Sequence, residues 1–132
     1  MNPITFFGYQ GRKVDDVVIE VLQRDAVLVD VRFSPHSRNP TWNRKTLESR
    51  LGPRHYLWMG DTLGNRLYKT DDIAIVDLAA GVDALVAAMQ KAPILVMCVC
   101  PSPIGCHRTV IKEALQGHFG INAEEWTSEL IP

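Results

Sequence analysis

The sequence predicts an α/β fold of three layers, a mainly parallel central sheet of about five strands with helices on both faces. Three observations carry this. Short runs are apolar at nearly every position, ITFFG at Ile4–Gly8, AVLVDV at 26–31 and ILVMCVC at 94–100, as strands covered on both sides are. Segments with helical spacing separate those runs. Glycine and proline gather at the junctions. The 132 residues are 46% apolar and 22% charged. That suits one soluble domain over 1–132 whose core needs neither disulfides nor a structural metal.

In chain order, Ile4 to Gly8 is a buried strand closed by glycine. Val14, Val17, Val18, Val21 and Leu22 recur at helical spacing, with Asp15 and Asp16 in the first turn where the helix dipole favours them. Residues 26–31 form a second strand with one anomaly, Asp30. A polar loop with Pro35 and Pro40 leads into a short helix over about 43–51, and HYLW at 55–58 is a third strand. Residues 59–65 are a glycine-bearing loop. Residues 71–90 are helical in pattern, interrupted near Gly81. The strongest strand, 94–100, is followed by a turn-rich loop at 101–105 and a helix at 109–118 that Gly117 and Gly120 stop. Residues 121–127 are a last edge strand.

Lys and Arg total 14 and Asp and Glu 15, a formal net charge of -1, which argues against a protein built mainly to coat polyanions. The charge is uneven. Residues 1–66 carry 10 basic and 7 acidic side chains, and the remainder 4 and 8. Arg32, Arg38, Arg44, Lys45, Arg50 and Arg54 face only Glu48. Residues 2–7 are too short and lack the basic start of a secretory signal. The longest apolar run, 93–100, falls far short of the ~20 residues a membrane helix needs, so no membrane partner is expected. The three cysteines lie between Cys98 and Cys106. An odd, clustered set is no disulfide framework, and a reducing cytoplasm is the expected location.

Parallel sheets hold ligands outside the carboxyl ends of their strands, which brings three loops together. After the first strand, Gly8-Tyr9-Gln10-Gly11-Arg12 offers glycines for a tight turn or close ligand approach. Its arginine can grip a phosphate or carboxylate through two parallel hydrogen bonds; the plain alternative is a strand-to-helix turn with a surface arginine. After the second strand, Asp30 carries a large desolvation cost unless it is paired. Its expected partner is Arg32, on the same strand face, or an arginine from a neighbouring loop. Such a pair either fixes the loop or aligns an arginine that binds an anion.

The third loop is the most specific feature. Cys98 and Cys100 project to one face of a strand. Cys106 falls at the start of the next helix, where free N–H groups and the dipole stabilise a thiolate. Arg108 and protonated His107 would lower its pKa further, and Arg108 adds to an anion-binding helix start. Against this stands ordinary packing of Cys98 and Cys106 as small hydrophobes. A phosphatase-type loop fails on spacing, because no arginine stands six positions after any of the cysteines. Zinc on Cys98, Cys106 and His107 departs from the usual paired C-x-x-C ligands. The dinucleotide fingerprint and the P-loop are absent, so neither a cofactor nor a metal is assigned.

The combination FFGYQGR, LVDVRFSPHSR and C-x7-CHR resembles the domain of unknown function 488 family. The matching positions are Gly8, Tyr9 and Arg12, then Asp30, Arg32, Pro35, Ser37 and Arg38, then Cys98, Cys106, His107 and Arg108, with Trp42, Asn43, Leu63 and Gly64 between. The resemblance spans roughly residues 5 to 120. It implies a compact α/β domain with these motifs gathered in one place. The loop VCPSPIG here differs from the acidic loop frequent in the family, and Cys100 is an additional thiol.

The preferred reading is an enzyme-like pocket for a small anionic ligand, a nucleotide or phosphorylated metabolite, at the sheet's carboxyl edge. Arg12, Arg38 and Arg108 would hold the anion, with Gly8, Tyr9, Arg32 and Ser37 lining the site. Asp30 would orient Arg32 or act as a base. Cys106 would be a thiolate nucleophile and His107 its acid–base partner, in a thiol-dependent transferase or hydrolase. Two alternatives stay open. One is a nucleic-acid-associated module using the basic stretch 32–58 with Phe33, Trp42, Tyr56 and Trp58. The other is a redox sensor that closes a Cys98–Cys106 or Cys100–Cys106 bridge, which requires Cα separations of about 4.4–6.8 Å.

Overall fold

The computed structural model describes residues 1–126. Five strands, β1 (Ile4–Gly8), β2 (Val27–Asp30), β3 (Tyr56–Trp58), β4 (Ile94–Cys98) and β5 (Glu124–Glu125), form one sheet in the order β3-β2-β4-β1-β5. Every pairing is parallel. Helices α1 (Val14–Gln23), α2 (Arg44–His55), α3 (Gly60–Leu63), α4 (Leu78–Met89) and α5 (His107–Phe119) join them, with a 3-10 turn at Pro40–Trp42. The three-layer α/β architecture read from the apolar runs is present.

Alternation along the strands builds two cores. Ile4 and Phe6 of β1, Val29 of β2, and Ile94, Val96 and Cys98 of β4 pack with α3, α4 and α5 through Leu63, Val82, Leu85, Met89, Ile111 and Leu115. The intervening positions, Phe7, Leu28, Leu95 and Met97, pack with α1 and α2 through Val17, Val18, Val21, Leu47 and Leu51. Both sets are almost wholly buried, which is why these strands read as continuously apolar.

Four elements differ from the sequence expectation. The helical pattern over 71–90 becomes a helix only from Leu78. Asp77 caps it, its side chain accepting from the Ala80 N–H at 3.2 Å. The preceding stretch is bracketed by Asn65, whose Oδ1 accepts from the Leu67 and Ala74 N–H groups at 3.0 and 2.9 Å. Gly81 does not interrupt α4. A Cβ there would stand 2.3 Å from Leu63 Cδ2, so glycine lets α3 and α4 touch. The expected loop at 59–65 contains α3, and α2 runs past Leu51 to His55 through a kink at Gly52, where φ is +74°. The expected edge strand over 121–127 is short, with Glu124–Glu125 paired to β1; Thr127 lies outside the described residues.

Candidate functional site

Cys98 ends β4, and alternation turns its side chain to the α4–α5 face. The chain leaves the sheet there, so Val99 and Cys100 are exposed rather than continuing the strand. The loop 99–105 turns back at Gly105, φ +73°, and delivers Cys106 as the N-cap of α5. Cys106 Sγ then lies 3.2 Å from Cys98 Sγ. From the first turn of α5, Arg108 reaches back under both. Its Nη1 donates to Cys98 Sγ at 2.9 Å and to the Cys100 carbonyl at 2.5 Å, and stands 3.7 Å from Cys106 Sγ.

Arg108 is 1% exposed, and a buried cation requires anionic partners. Glu125 is one, accepting from Arg108 Nε at 2.8 Å and from Lys112 Nζ at 3.0 Å. Two cations around one carboxylate leave a positive surplus beside the thiols. The surplus, together with the hydrogen bonds, decides which sulfur carries charge. The bond from Cys106 and the proximity of Arg108 hold the Cys98 thiol below its ordinary pKa despite burial. For Cys106 the bond with Cys100 lowers the value, yet the bond to Cys98, burial and repulsion from Cys98 raise it overall. Cys100 is raised, first by its bond with Cys106 and then by burial. The sequence reading placed the thiolate on Cys106; either sulfur can donate in the hydrogen bond the two share, and Arg108 Nη1 lies nearer Cys98 than Cys106, which favours negative charge on Cys98. Sulfurs this close titrate as a pair.

His107 Nε2 lies 3.0 Å from the Val31 carbonyl. A carbonyl only accepts, so Nε2 carries the hydrogen and Nδ1 is the acceptor of the neutral ring. Burial, and then the charge of Arg108, depress its pKa against the Val31 bond, which raises it.

Cys106 and His107 border a cavity of about 270 Å³ at the carboxyl ends of β2 and β4. Its other walls are residues 32–34, the segment carrying Asn65, Tyr68, Thr70 and Asp72, and the loop with Cys100. The rings of Phe33 and Tyr68 meet there, 6.1 Å between centroids. The sequence reading missed this second wall, because nothing local in 65–72 marks it.

The remaining predicted residues fall in separate places. Asp30 pairs in register with Met97 and bonds to side chains of the α1–α2 face, so it sits across the sheet from Cys98. Its Oδ1 accepts from the Arg32 backbone N–H at 3.1 Å and from Nε at 2.8 Å. Its Oδ2 accepts from Arg32 Nη2 at 2.7 Å and from the Tyr56 hydroxyl at 2.6 Å. Arg32 also donates to the Trp42 carbonyl at 2.8 Å. Burial works against its charge, but Asp30 more than offsets that and keeps the guanidinium protonated. Burial and Asp30 together push the Tyr56 hydroxyl well above its ordinary pKa. Tyr9 belongs to this cluster too, stacked on Trp42 at 4.7 Å between centroids and with the Arg32 guanidinium 5.2 Å from its ring centre.

Arg12 donates to the Gly8 carbonyl at 3.1 Å and to the Trp126 carbonyl, with its guanidinium 4.1 Å from the Trp126 ring. Burial and then the charge of Arg108 lower its pKa, so the two cations sense each other. Ser37 shapes its loop, its N–H donating to Asn43 Oδ1 at 2.6 Å and its Oγ accepting from the Asn39 N–H. Arg38 is exposed. Gly8 is where two strand ends meet, and a Cβ there would lie 1.5 Å from the Cys100 carbonyl oxygen.

In the basic stretch, Arg44 pairs with Glu48, Arg50 with Asp15 and Arg54 with Asp25. Trp42 and Tyr56 are buried. Among the described residues no group of three or more His, Cys, Asp or Glu side chains is arranged to hold a metal ion. No described helix is long and apolar enough to cross a membrane.

Fold and site together define a parallel α/β protein with a cysteine pair and a buried arginine at the carboxyl edge of its sheet. The chain belongs to the family described as Domain of unknown function DUF488, whose family model matches residues 14–115. It matches no curated protein and no solved structure.

Proposed function

We propose that this protein is a thiol-dependent enzyme acting on a small molecule that bears an anionic group, bound in the cavity beside Cys106. The observation that carries the reading is the placement of Cys106, on the cavity wall and 3.2 Å from Cys98, whose negative charge Arg108 stabilises. Cys106 is the group a ligand meets. Cys98 takes its proton and returns it, because the shared hydrogen bond lets charge move between the sulfurs. His107, held through Val31, offers Nδ1 as an acid–base group. The positive end of α5 opens at the same wall and favours an anion there. At about 270 Å³ the cavity lies just below the roughly 300 Å³ at which ligand pockets begin, which limits the bound part to a small group.

On this reading Arg108 works through the thiols, while Asp30, Arg32, Tyr9 and Tyr56 fix the loop after β2 that forms one wall. Neither Arg12, held against Gly8 and Trp126, nor the exposed Arg38 lines the cavity. A nucleotide or phosphorylated metabolite suits the charge. A thermal-shift screen of inorganic phosphate, pyrophosphate, nucleoside monophosphates and sugar phosphates tests this, repeated with Cys106→Trp to fill the cavity mouth. A stabilising hit lost in that variant is the expected result. A panel with no stabilising member, or a hit that survives the substitution, removes the ligand assignment.

A further inference from the structure

We infer that Cys98 and Cys106 close a reversible disulfide when the protein reduces a hydroperoxide, giving it a dithiol peroxidase activity that requires no ligand in the cavity. The two sulfurs are already 3.2 Å apart, so a bond of about 2.05 Å needs an approach of roughly 1 Å. Their surroundings differ in the way such a pair requires. Cys106, 2% exposed, borders the cavity, so a small hydroperoxide meets it from there. Cys98, 1% exposed, does not line that cavity. Cys106 also sits at a loop–helix junction beside Gly105 and the 90% exposed Ile104, where the backbone has room to shift. Cys98 is fixed in the central strand.

The chemistry balances with two named reagents. Cys106 passes its proton to Cys98, and the Cys106 thiolate attacks the outer oxygen of the hydroperoxide. The O–O bond breaks, a sulfenic acid forms on Cys106, and the alkoxide or hydroxide leaves and takes a proton from solvent. Cys98 then attacks the Cys106 sulfur. The S–S bond forms, hydroxide is expelled and takes the Cys98 proton as water. Two electrons move from the thiol pair to the peroxide. A small dithiol restores the pair by two thiol–disulfide exchanges. Arg108, 2.9 Å from one sulfur and 3.7 Å from the other, steadies the negative charge as it passes between them.

The test uses the full chain carrying Cys100→Ser, treated with one equivalent of hydrogen peroxide, denatured, and labelled with N-ethylmaleimide. Expected are the loss of two hydrogens from the intact mass, no label taken up, and two labels after dithiothreitol. The peroxide should be consumed one per chain, and repeatedly when dithiothreitol is present. In Cys98→Ala/Cys100→Ser given at least two equivalents of peroxide, Cys106 should proceed through sulfenic to sulfinic acid, since no second thiol intercepts it. The inference is overturned if the oxidised Cys100→Ser protein still labels at Cys98, or if the bond joins two chains. It is equally overturned if fragment masses from the wild-type chain show Cys100 in the bridge instead. Because no cavity ligand is involved, a bridge without any anion binding counts against the ligand reading alone, and anion binding without a bridge counts against this one alone.

Discussion

Arg108 Nη1 donates at once to Cys98 Sγ, at 2.9 Å, and to the Cys100 carbonyl, at 2.5 Å. One guanidinium nitrogen therefore ties the end of β4 to the loop that follows it, and places its charge on the more buried of two touching thiols. Arg108→Gln keeps hydrogen-bond donors and removes the charge. The thiol pair should then ionise at higher pH, and alkylation by iodoacetamide at pH 7 should slow by about tenfold for each pKa unit lost. Arg108→Lys restores charge without the two-pronged geometry and should recover only part of the rate. An unchanged rate in Arg108→Gln would detach the arginine from the thiols.

Asp30 and Arg32 should matter for stability and not for thiol chemistry. Asp30→Asn leaves the Arg32 charge buried and half-partnered, and should cost about 3–5 kcal/mol in urea unfolding. Tyr56→Phe removes one bond to a charged acceptor and should cost about 1.5–3 kcal/mol. Because the pair lies on the opposite face of the sheet from Cys98, Tyr56→Phe should leave the pH profile of alkylation in place. A shifted profile would place the Asp30 cluster in the reaction.

Gly8→Ala puts a methyl group where the Cys100 carbonyl stands, at 1.5 Å. Backbone cannot yield as a flexible side chain does, so the loop must move and the Arg108–Cys100 bond must break. The variant should be destabilised, and any folded fraction should alkylate more slowly at Cys106. Thermal unfolding and alkylation on the same sample check both. Wild-type behaviour in both would contradict the close approach.

His107 is held neutral in the folded protein, its pKa below the ordinary value of about 6.5. A depressed value means that its contribution to stability is fully present above pH 6.5 and is lost as pH falls from there through the folded-state pKa. Urea unfolding at pH 7.5 and pH 5.5 should therefore show a decline that is smaller in His107→Gln. An equal decline in both proteins would remove the histidine from the pH dependence.

The sheet was legible because burial on both faces leaves strands continuously apolar, and the Cys98–Cys106–Arg108 cluster because a strand end and a helix start were both marked. The assignment of the thiolate was not legible. It depends on the 3.2 Å contact between the two sulfurs and on Arg108 lying nearer Cys98 than Cys106, distances that no local sequence pattern gives. The separation of Asp30 from Cys98 follows from strand register. Each residue's parity is readable within its own strand, but the pairing of Asp30 with Met97 rather than Cys98 is not. Tyr56, read as an aromatic of the basic stretch, is a hydrogen-bond donor to Asp30. That role appears only when β3 is laid beside β2. The cavity wall at 65–72 depends on Asn65 gathering backbone N–H groups, a pattern that fold context alone reveals.

The most direct measurement is the pH dependence of iodoacetamide alkylation at Cys106 in full-length Cys100→Ser protein, followed by intact mass. A first inflection below the free-thiol value of about 8.5, moved upward by Arg108→Gln, is the predicted result. An inflection at or above that value, indifferent to Arg108, would mean that the two sulfurs are packing atoms and carry no chemistry.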